Sequence, residues 1–326
     1  MSGPGYVVVA VYRPKIELLR RQLGSIAAQS LQDWRCLIGI DGADPETLAA
    51  VRGLVADDDR FGVVEYPDNL GVYRHVERML STVPADVDWV ALSDQDDHFY
   101  PEKFATLTTE LESARATAVI GQARVVDDAG TELSVTRRQA GSLDDLLLFN
   151  QLTGGASILR RDVLDYALPF PAESSRSAHD HWLAVVAAAL GPVVASATVV
   201  QDYVQHGDNL IGEGGPGGVG ARLATVRHGG VRAWLNRELG AIWQWRRDMS
   251  LQLITNLGPR LNVLPCAAPE VPRREKVRAI VASVRTRHVS VVEGVALLAA
   301  GAVSASSRGR APSDRAGSRD SPARTA

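Results

Sequence analysis

Along the first two thirds of the chain, short continuous apolar runs alternate with stretches in which apolar residues recur every three or four positions. The first run covers residues 6–11, and after Pro14 the residues Leu18, Leu19, Leu23 and Ile26 keep helical spacing. A second run at 35–40 ends at Asp41-Gly42, and residues 45–55 read as the helix that follows it. The third run, 61–65, leads through Asp68-Asn69-Leu70-Gly71 into a segment where Val72, Val76, Met79 and Leu80 share one helical face. Trp89-Val90-Ala91-Leu92 is the fourth. Strands and helices alternating at these lengths predict an α/β fold, with a mainly parallel sheet flanked by helices and right-handed connections. No repeat of solenoid type breaks the pattern.

Further along, residues 101–114 read as a helix and 118–126 as a strand, and Asp127-Asp128-Ala129-Gly130 turns into a hairpin partner, so the sheet is expected to be mixed. Residues 154–159 read as a strand that opens on the pair Gly154-Gly155, where a substrate or another backbone can come close. A helix is expected over 177–190 and a strand over 193–200. The glycine-dense stretch 212–220 reads as a linker or loop, and 222–253 and 272–287 as helices. Residues 289–302 are apolar but interrupted by Glu293 and fall short of the roughly 20 needed to span a bilayer, so they read as a helix that packs or lies on a surface. Residues 304–326, with five arginines and little apolar bulk, are expected to be disordered; their arginines either meet acidic lipid headgroups or stay solvated. The expected organisation is a catalytic domain over 1–211, a linker or loop over 212–220, a helical extension over 221–303 and a tail over 304–326.

Length and composition alter this picture little: 326 residues at 45% hydrophobic content are ample for one large core. The net charge of −3 hides an acidic body and an Arg-rich end, which argues against nucleic acid as a partner of the body and leaves open a peripheral membrane contact through the end. Two distant cysteines, Cys36 and Cys266, imply neither a disulfide framework nor a thiolate metal site, and with no signal-peptide pattern before residue 6 they point to a cytoplasmic setting, with the inner face of the cell membrane as a possible place of attachment.

The chemistry concentrates at the end of the fourth run, where Asp94, Asp96 and Asp97 lie within four residues. Ligands of open α/β sheets bind beyond the carboxyl ends of strands, and crowded carboxylates there suit Mg²⁺ or Mn²⁺ shared with a substrate's phosphates. The competing reading is a turn that caps the helix near Pro101.

Taken in order, Val7-Val8-Val9-Ala10-Val11-Tyr12-Arg13-Pro14, Ile40-Asp41-Gly42, Asp68-Asn69-Leu70-Gly71-Val72, Asp94-Gln95-Asp96-Asp97, Thr153-Gly154-Gly155-Ala156, His179-Asp180-His181-Trp182 and Tyr203-Val204-Gln205-His206-Gly207-Asp208-Asn209 resemble the family 2 inverting glycosyltransferases of the GT-A fold, and among them the bacterial rhamnosyltransferase-type enzymes of cell-surface polysaccharide synthesis. The resemblance covers residues 6–212. It implies a Rossmann-like GT-A domain with a C-terminal helical extension, binding a nucleotide-diphosphate sugar and a glycan or lipid-linked acceptor. Ala10, Val11, Tyr12 and Asp41 would hold the base, Asn69, Gly71 and Gln95 would belong to the same donor site, and Asp94 would face the ribose. Asp96, with Asp97 beside it and His206 completing the site, would hold Mg²⁺ or Mn²⁺ against the diphosphate. Asp180 would be the general base of an inverting transfer, and Gly154, Gly155, His179 and Trp182 would line the acceptor side.

Asp180 also fits a capping box, with Ser177 as N-cap. Two departures from the family pattern stand out, His75 where Asn is common and Val204 where Arg is common. Competing functions are a non-catalytic sugar-nucleotide-binding module and a nucleotidyltransferase. A Rossmann dehydrogenase fails for want of a G-x-G-x-x-G turn after the first strand.

Overall fold

The computed structural model describes residues 3–42, 44–205 and 231–307, with the side chains of 231–237 and 303–307 left aside. His206 and its neighbours to Asn209, the glycine-dense 212–220 and residues 308–326 lie outside the described residues.

Strand β1 (Gly5–Val11) is apolar throughout because both its faces are covered. Val7, Val9 and Val11 turn to one core, with Leu19, Leu23 and Ile26 of α1 (Ile16–Ala27), while Val8 turns to the other. Next come β2 (Trp34–Asp41), α2 (Pro45–Leu54), β3 (Phe61–Tyr66), α3 (Gly71–Leu80) and β4 (Trp89–Ser93), the predicted alternation. Then follow β5 (His98–Phe99), α4 (Lys103–Ser113), β6 (Ala118–Val126), β7 (Glu132–Val135), α5 (Leu143–Leu148), β8 (Ser157–Arg160), α6 (Leu164–Ala167), α7 (His179–Leu190) and β9 (Val193–Val204). The sheet order is β3-β2-β1-β4-β8-β6-β9-β5, with β7 paired to β6. β1 is parallel to β2 and β4, and β8 is antiparallel to β4 and β6, so the sheet is mixed as expected. Because β2 and β4 flank β1 while the chain visits β2 first, the strand order reverses between β1 and β4, the position where such sheets bind ligands.

Several boundaries differ from expectation. Residues Gly154–Ala156 form a single 3-10 turn ahead of β8, not its first half. β9 continues to Val204, four residues past the predicted end, because its far half pairs with β6 and β5. Helix α7 starts at His179, its N-cap Ala178 makes no side-chain cap, and the Ser177 hydroxyl instead accepts from the Ser174 amide at 2.8 Å. The capping box predicted there is therefore not formed; one exists at α5, between Ser142 and Asp145.

The C-terminal helices α8 (Val231–Leu257), α9 (Arg273–Arg285) and α10 (Val291–Ser307) share the core of the α/β body. Trp243, Trp245, Met249 and Leu253 of α8 pack in the same cluster as Trp182 and Val186 of α7. One buried polar contact joins the two helices. The Trp245 indole donates to His181 Nδ1 at 3.2 Å, and His181 Nε2 donates to the Leu146 carbonyl at 2.9 Å. An indole only donates, so Nδ1 is the acceptor and the ring is the neutral Nε2–H tautomer. Burial pushes its pKa down to about 3.

The unfolded chain protonates His181 below its ordinary value of 6.5, while the fold keeps it neutral to about 3. The unfolded state thus binds more protons in that window, and this group's contribution to stability falls as pH falls from 6.5, by up to about 1.4 kcal/mol per pH unit. Urea unfolding from pH 7 to pH 4 is expected to show a shallower pH dependence for His181→Gln than for the parent protein; equal slopes would contradict a neutral buried imidazole.

Candidate active site

The ends of β1 and β4 are joined by one side chain. Gln95 accepts from the Tyr12 amide at 2.9 Å and donates to the Tyr12 carbonyl at 3.1 Å, closing the loops across the point where strand order reverses. Ala10 is half-buried and Val11 buried, and Tyr12, 42% exposed, puts its ring in the open. Asp41, at the end of β2, is 3% exposed and accepts from the Leu70 amide at 3.0 Å and the Gly71 amide at 2.9 Å. Its carboxylate thereby holds the amino end of α3, where a negative charge is favoured. Asn69 also accepts from the Gly71 amide at 3.0 Å, and Gly71, at φ 75°, takes a left-handed conformation that favours glycine. His75, the first departure from the family pattern, is buried with Nε2 donating to the Gly39 carbonyl at 3.0 Å; burial lowers its pKa, so it is a neutral core residue.

Beyond β4 the three acids part company. Asp97 is 1% exposed and accepts from Gln201 Nε2 at 2.8 Å; the same amide's Oε1 accepts from Lys103 Nζ at 3.0 Å. Lys103 also donates to the Gly155 carbonyl and lies over the Phe99 ring. Burial pushes Asp97 up and Lys103 down, each opposed by the other's charge. Gly155 is a glycine for this network's sake: a Cβ there would stand 2.7 Å from Asp97 Oδ2. The close approach expected at the glycine pair is thus made, at Gly155, by a carboxylate of the protein itself.

Asp94 and Asp96 are only half-buried. Burial pushes Asp94 up to about 6, the Asp96 charge adds to this, and His179 and Lys103 oppose it while Asp180 reinforces it. The fourth strand's end and the start of α7 therefore share one electrostatic neighbourhood. His179 stands over the other glycine, its Nε2 3.4 Å from where a Gly154 Cβ would lie. Asp180, in the first turn of α7, accepts from the His181 amide at 2.7 Å. Trp182 is fully buried and donates to the Ala167 carbonyl at 2.8 Å, so it belongs to the core and lines no acceptor surface, contrary to expectation. Val204 is likewise buried.

Three polar residues at the site escaped the sequence reading. Lys103 and Gln201 are two, and the third is Arg138, whose guanidinium is half-buried beside Asp180: burial lowers its pKa and the Asp180 charge opposes this. Gln122 clasps the Arg138 backbone, accepting from its amide at 2.7 Å and donating to its carbonyl at 3.2 Å. Among the described residues no three His, Cys, Asp or Glu are grouped to hold a metal ion by themselves.

A mixed α/β sheet with acids at its reversal point, closed by C-terminal helices, is the architecture of GT-A enzymes. Over 94% of this chain and 92% of theirs, the fold matches S. aureus TarS 1-349 in complex with UDP-GlcNAc at a TM-score of 0.55 and 14% identity. The complex of TarS 1-349 with UDP matches at 0.51, again at 14% identity, over 94% and 91%. Residues 6–168 match glycosyl transferase family 2, and the chain belongs to that family; it is a glycosyltransferase. It is also 37% identical over 98 residues to the succinoglycan biosynthesis protein ExoW of Rhizobium meliloti (strain 1021), a stretch covering 29% of this chain and 30% of ExoW. Family membership decides against the nucleotidyltransferase reading.

Removing the buried cation should leave Asp97 uncompensated. Lys103→Met is expected to cost roughly 3 kcal/mol in urea unfolding, and adding Asp97→Asn should recover part of that loss. An unchanged midpoint in the single variant would contradict the network.

Proposed function

We propose that the protein is an inverting, metal-dependent transferase that moves a sugar from a nucleotide-diphosphate donor to a glycan or lipid-linked acceptor in cell-surface polysaccharide assembly. One observation carries the reading: Asp94 and Asp96 share an electrostatic neighbourhood with Asp180 at the reversal point of the sheet. The likeness to ExoW, named for succinoglycan biosynthesis, supports the polysaccharide setting.

The donor set fits a divalent ion. Asp96 would hold it with Asp94 at hand; burial chiefly raises Asp94, and the Asp96 charge that adds to the rise is what such an ion relieves. With no protein cage of three ligands among the described residues, Mg²⁺ or Mn²⁺ would complete its shell with waters and the donor's phosphates, as these ions commonly do. The bound ion would supply neutralisation of the leaving diphosphate's charge. Asp97 would stand beneath the ion: Gln201 holds its Oδ2, while its buried Oδ1 has no hydrogen-bond partner among the described residues.

Asp180 takes the proton of the acceptor hydroxyl while that oxygen attacks the anomeric carbon, and the nucleotide diphosphate leaves from the opposite side. Arg138 offers a cation beside the base, suited to keeping Asp180 ionised until it takes that proton. Tyr12 presents an exposed ring, with the Arg13 guanidinium over it at 5.2 Å, against which a base can stack. Rhamnose on a dTDP carrier is the donor that the motif likeness suggests. UDP-GlcNAc, the ligand in the TarS complex, is the first alternative.

Asp180→Asn is expected to lower the transfer rate by a factor of roughly 10² to 10⁴ while nucleotide-sugar affinity stays near that of the parent, read by product formation and calorimetry. Full activity in that variant removes Asp180 from the role of base. Chelation is expected to abolish transfer, with recovery on adding Mg²⁺ or Mn²⁺ to the parent protein but not to Asp96→Asn; undiminished transfer in EDTA overturns the metal assignment.

A further inference from the structure

Helix α10 is apolar on two sides, and the body covers one of them. Gly294, Leu297 and Ala300 are buried: a Cβ on Gly294 would meet Val284 of α9 at 2.5 Å, and one on Gly301 would reach the Trp243 ring at 4.0 Å. On the outer side Val291, Val292, Val295 and Leu298 are 69%, 80%, 61% and 36% exposed. Their spacing of i, i+1, i+4 and i+7 makes one stripe. The turn that precedes the stripe exposes Arg285 and Arg287, and the outward side of α9 alternates Arg274, Val277, Arg278 and Val281. Exposed valines add nothing to helix propensity, and an apolar stripe rimmed by charge marks a contact surface.

We propose that this α9–α10 hairpin seats the enzyme on a bilayer that carries anionic lipid. Charge selects the occupant. The hairpin's residues 273–302 hold six Lys and Arg against two Asp and Glu, a net of +4 in a chain whose net charge is −3. A second copy docking through the same face would bring like charge against like. A bilayer surface answers both features, taking the valines at the boundary of headgroups and acyl chains and the arginines among anionic headgroups. No helix among the described residues is long and apolar enough to cross a membrane, so the contact is a surface one.

The seat is tied to the site. Ser283 donates to Asp145 at 2.6 Å, Gln151 donates to the His288 carbonyl at 3.3 Å, and His288 Nε2 donates to the Ala140 carbonyl at 2.5 Å. Those partners lie on the segment between Arg138 and Gly154, at the flank of the site. A seat fixed there holds the enzyme against the surface from which a lipid-linked acceptor is drawn; this last clause rests on the proposed function, whereas the docking itself does not.

The test is sedimentation of the full chain with phosphatidylcholine vesicles, with and without phosphatidylglycerol, at low and high salt. Binding is expected only with phosphatidylglycerol and is expected to weaken with salt. Replacing Val291, Val292 and Val295 together with Ser should weaken it by roughly tenfold, and Arg285→Glu with Arg287→Glu by a similar factor. Both variants should keep the parent's nucleotide-sugar binding in solution, so loss of vesicle binding and failure of the transferase reading are separately visible. Absence of parent binding to anionic vesicles overturns the proposal, as does a serine variant that binds as well as the parent. A dimer in light scattering that the serine variant dissolves, without vesicle binding, assigns the face to a second copy instead.

Discussion

The structure depends on how it stores charge beyond β4. Asp97 is a carboxylate buried almost completely, and such a group persists only where hydrogen bonds and an opposite charge compensate it. Gln201 donates to Oδ2, and the Lys103 charge acts from behind that amide, while Oδ1 has no hydrogen-bond partner among the described residues; the placement of the two side chains dictates much else. α4 must begin where Lys103 can reach back, β9 must extend far enough to deliver Gln201, and position 155 must lack a Cβ. With one acid thus neutralised beneath the site, Asp94 and Asp96 remain half-buried with only partial compensation. That residual crowding is what the proposed cation would relieve.

A second constraint couples the body to its C-terminal helices. His181 follows Asp180 directly and is held between the Leu146 carbonyl and the Trp245 indole, so the first turn of α7 is anchored from two sides. The helices after residue 230 therefore form part of the same core that orients the proposed base. Arg138, on which the Asp180 charge acts, has its backbone clasped by Gln122 of β6. The helix turn that carries the proposed base and the charge around it thus depend on residues from distant parts of the chain.

Much of this was legible in the sequence, for identifiable reasons. Strands buried on both faces read as unbroken apolar runs, and β1, β2 and β4 fall where those runs are; the resemblance then put the acids of β4 and α7 in one site. What was not legible depends on long-range contacts or on adjacent residues facing opposite ways. Asp96 and Asp97 are neighbours of one type, yet only the second is buried. Trp182 sits in a helix that is apolar on all sides over residues 182–187, so periodicity could not say which way it faced. Lys103 did leave a signal: it falls on the stripe with Phe104, Leu107 and Leu111, a place where a lysine must find a buried partner. Arg138 left none, since it lies in a polar stretch and owes its position to a glutamine sixteen residues away.

The central claim, that one carboxylate base drives a direct displacement at the anomeric carbon, is tested most directly by the stereochemistry of the product. Proton NMR of the glycoside formed by the purified protein from a nucleotide sugar of known anomeric configuration should show that configuration inverted. A product that retains it would contradict the account.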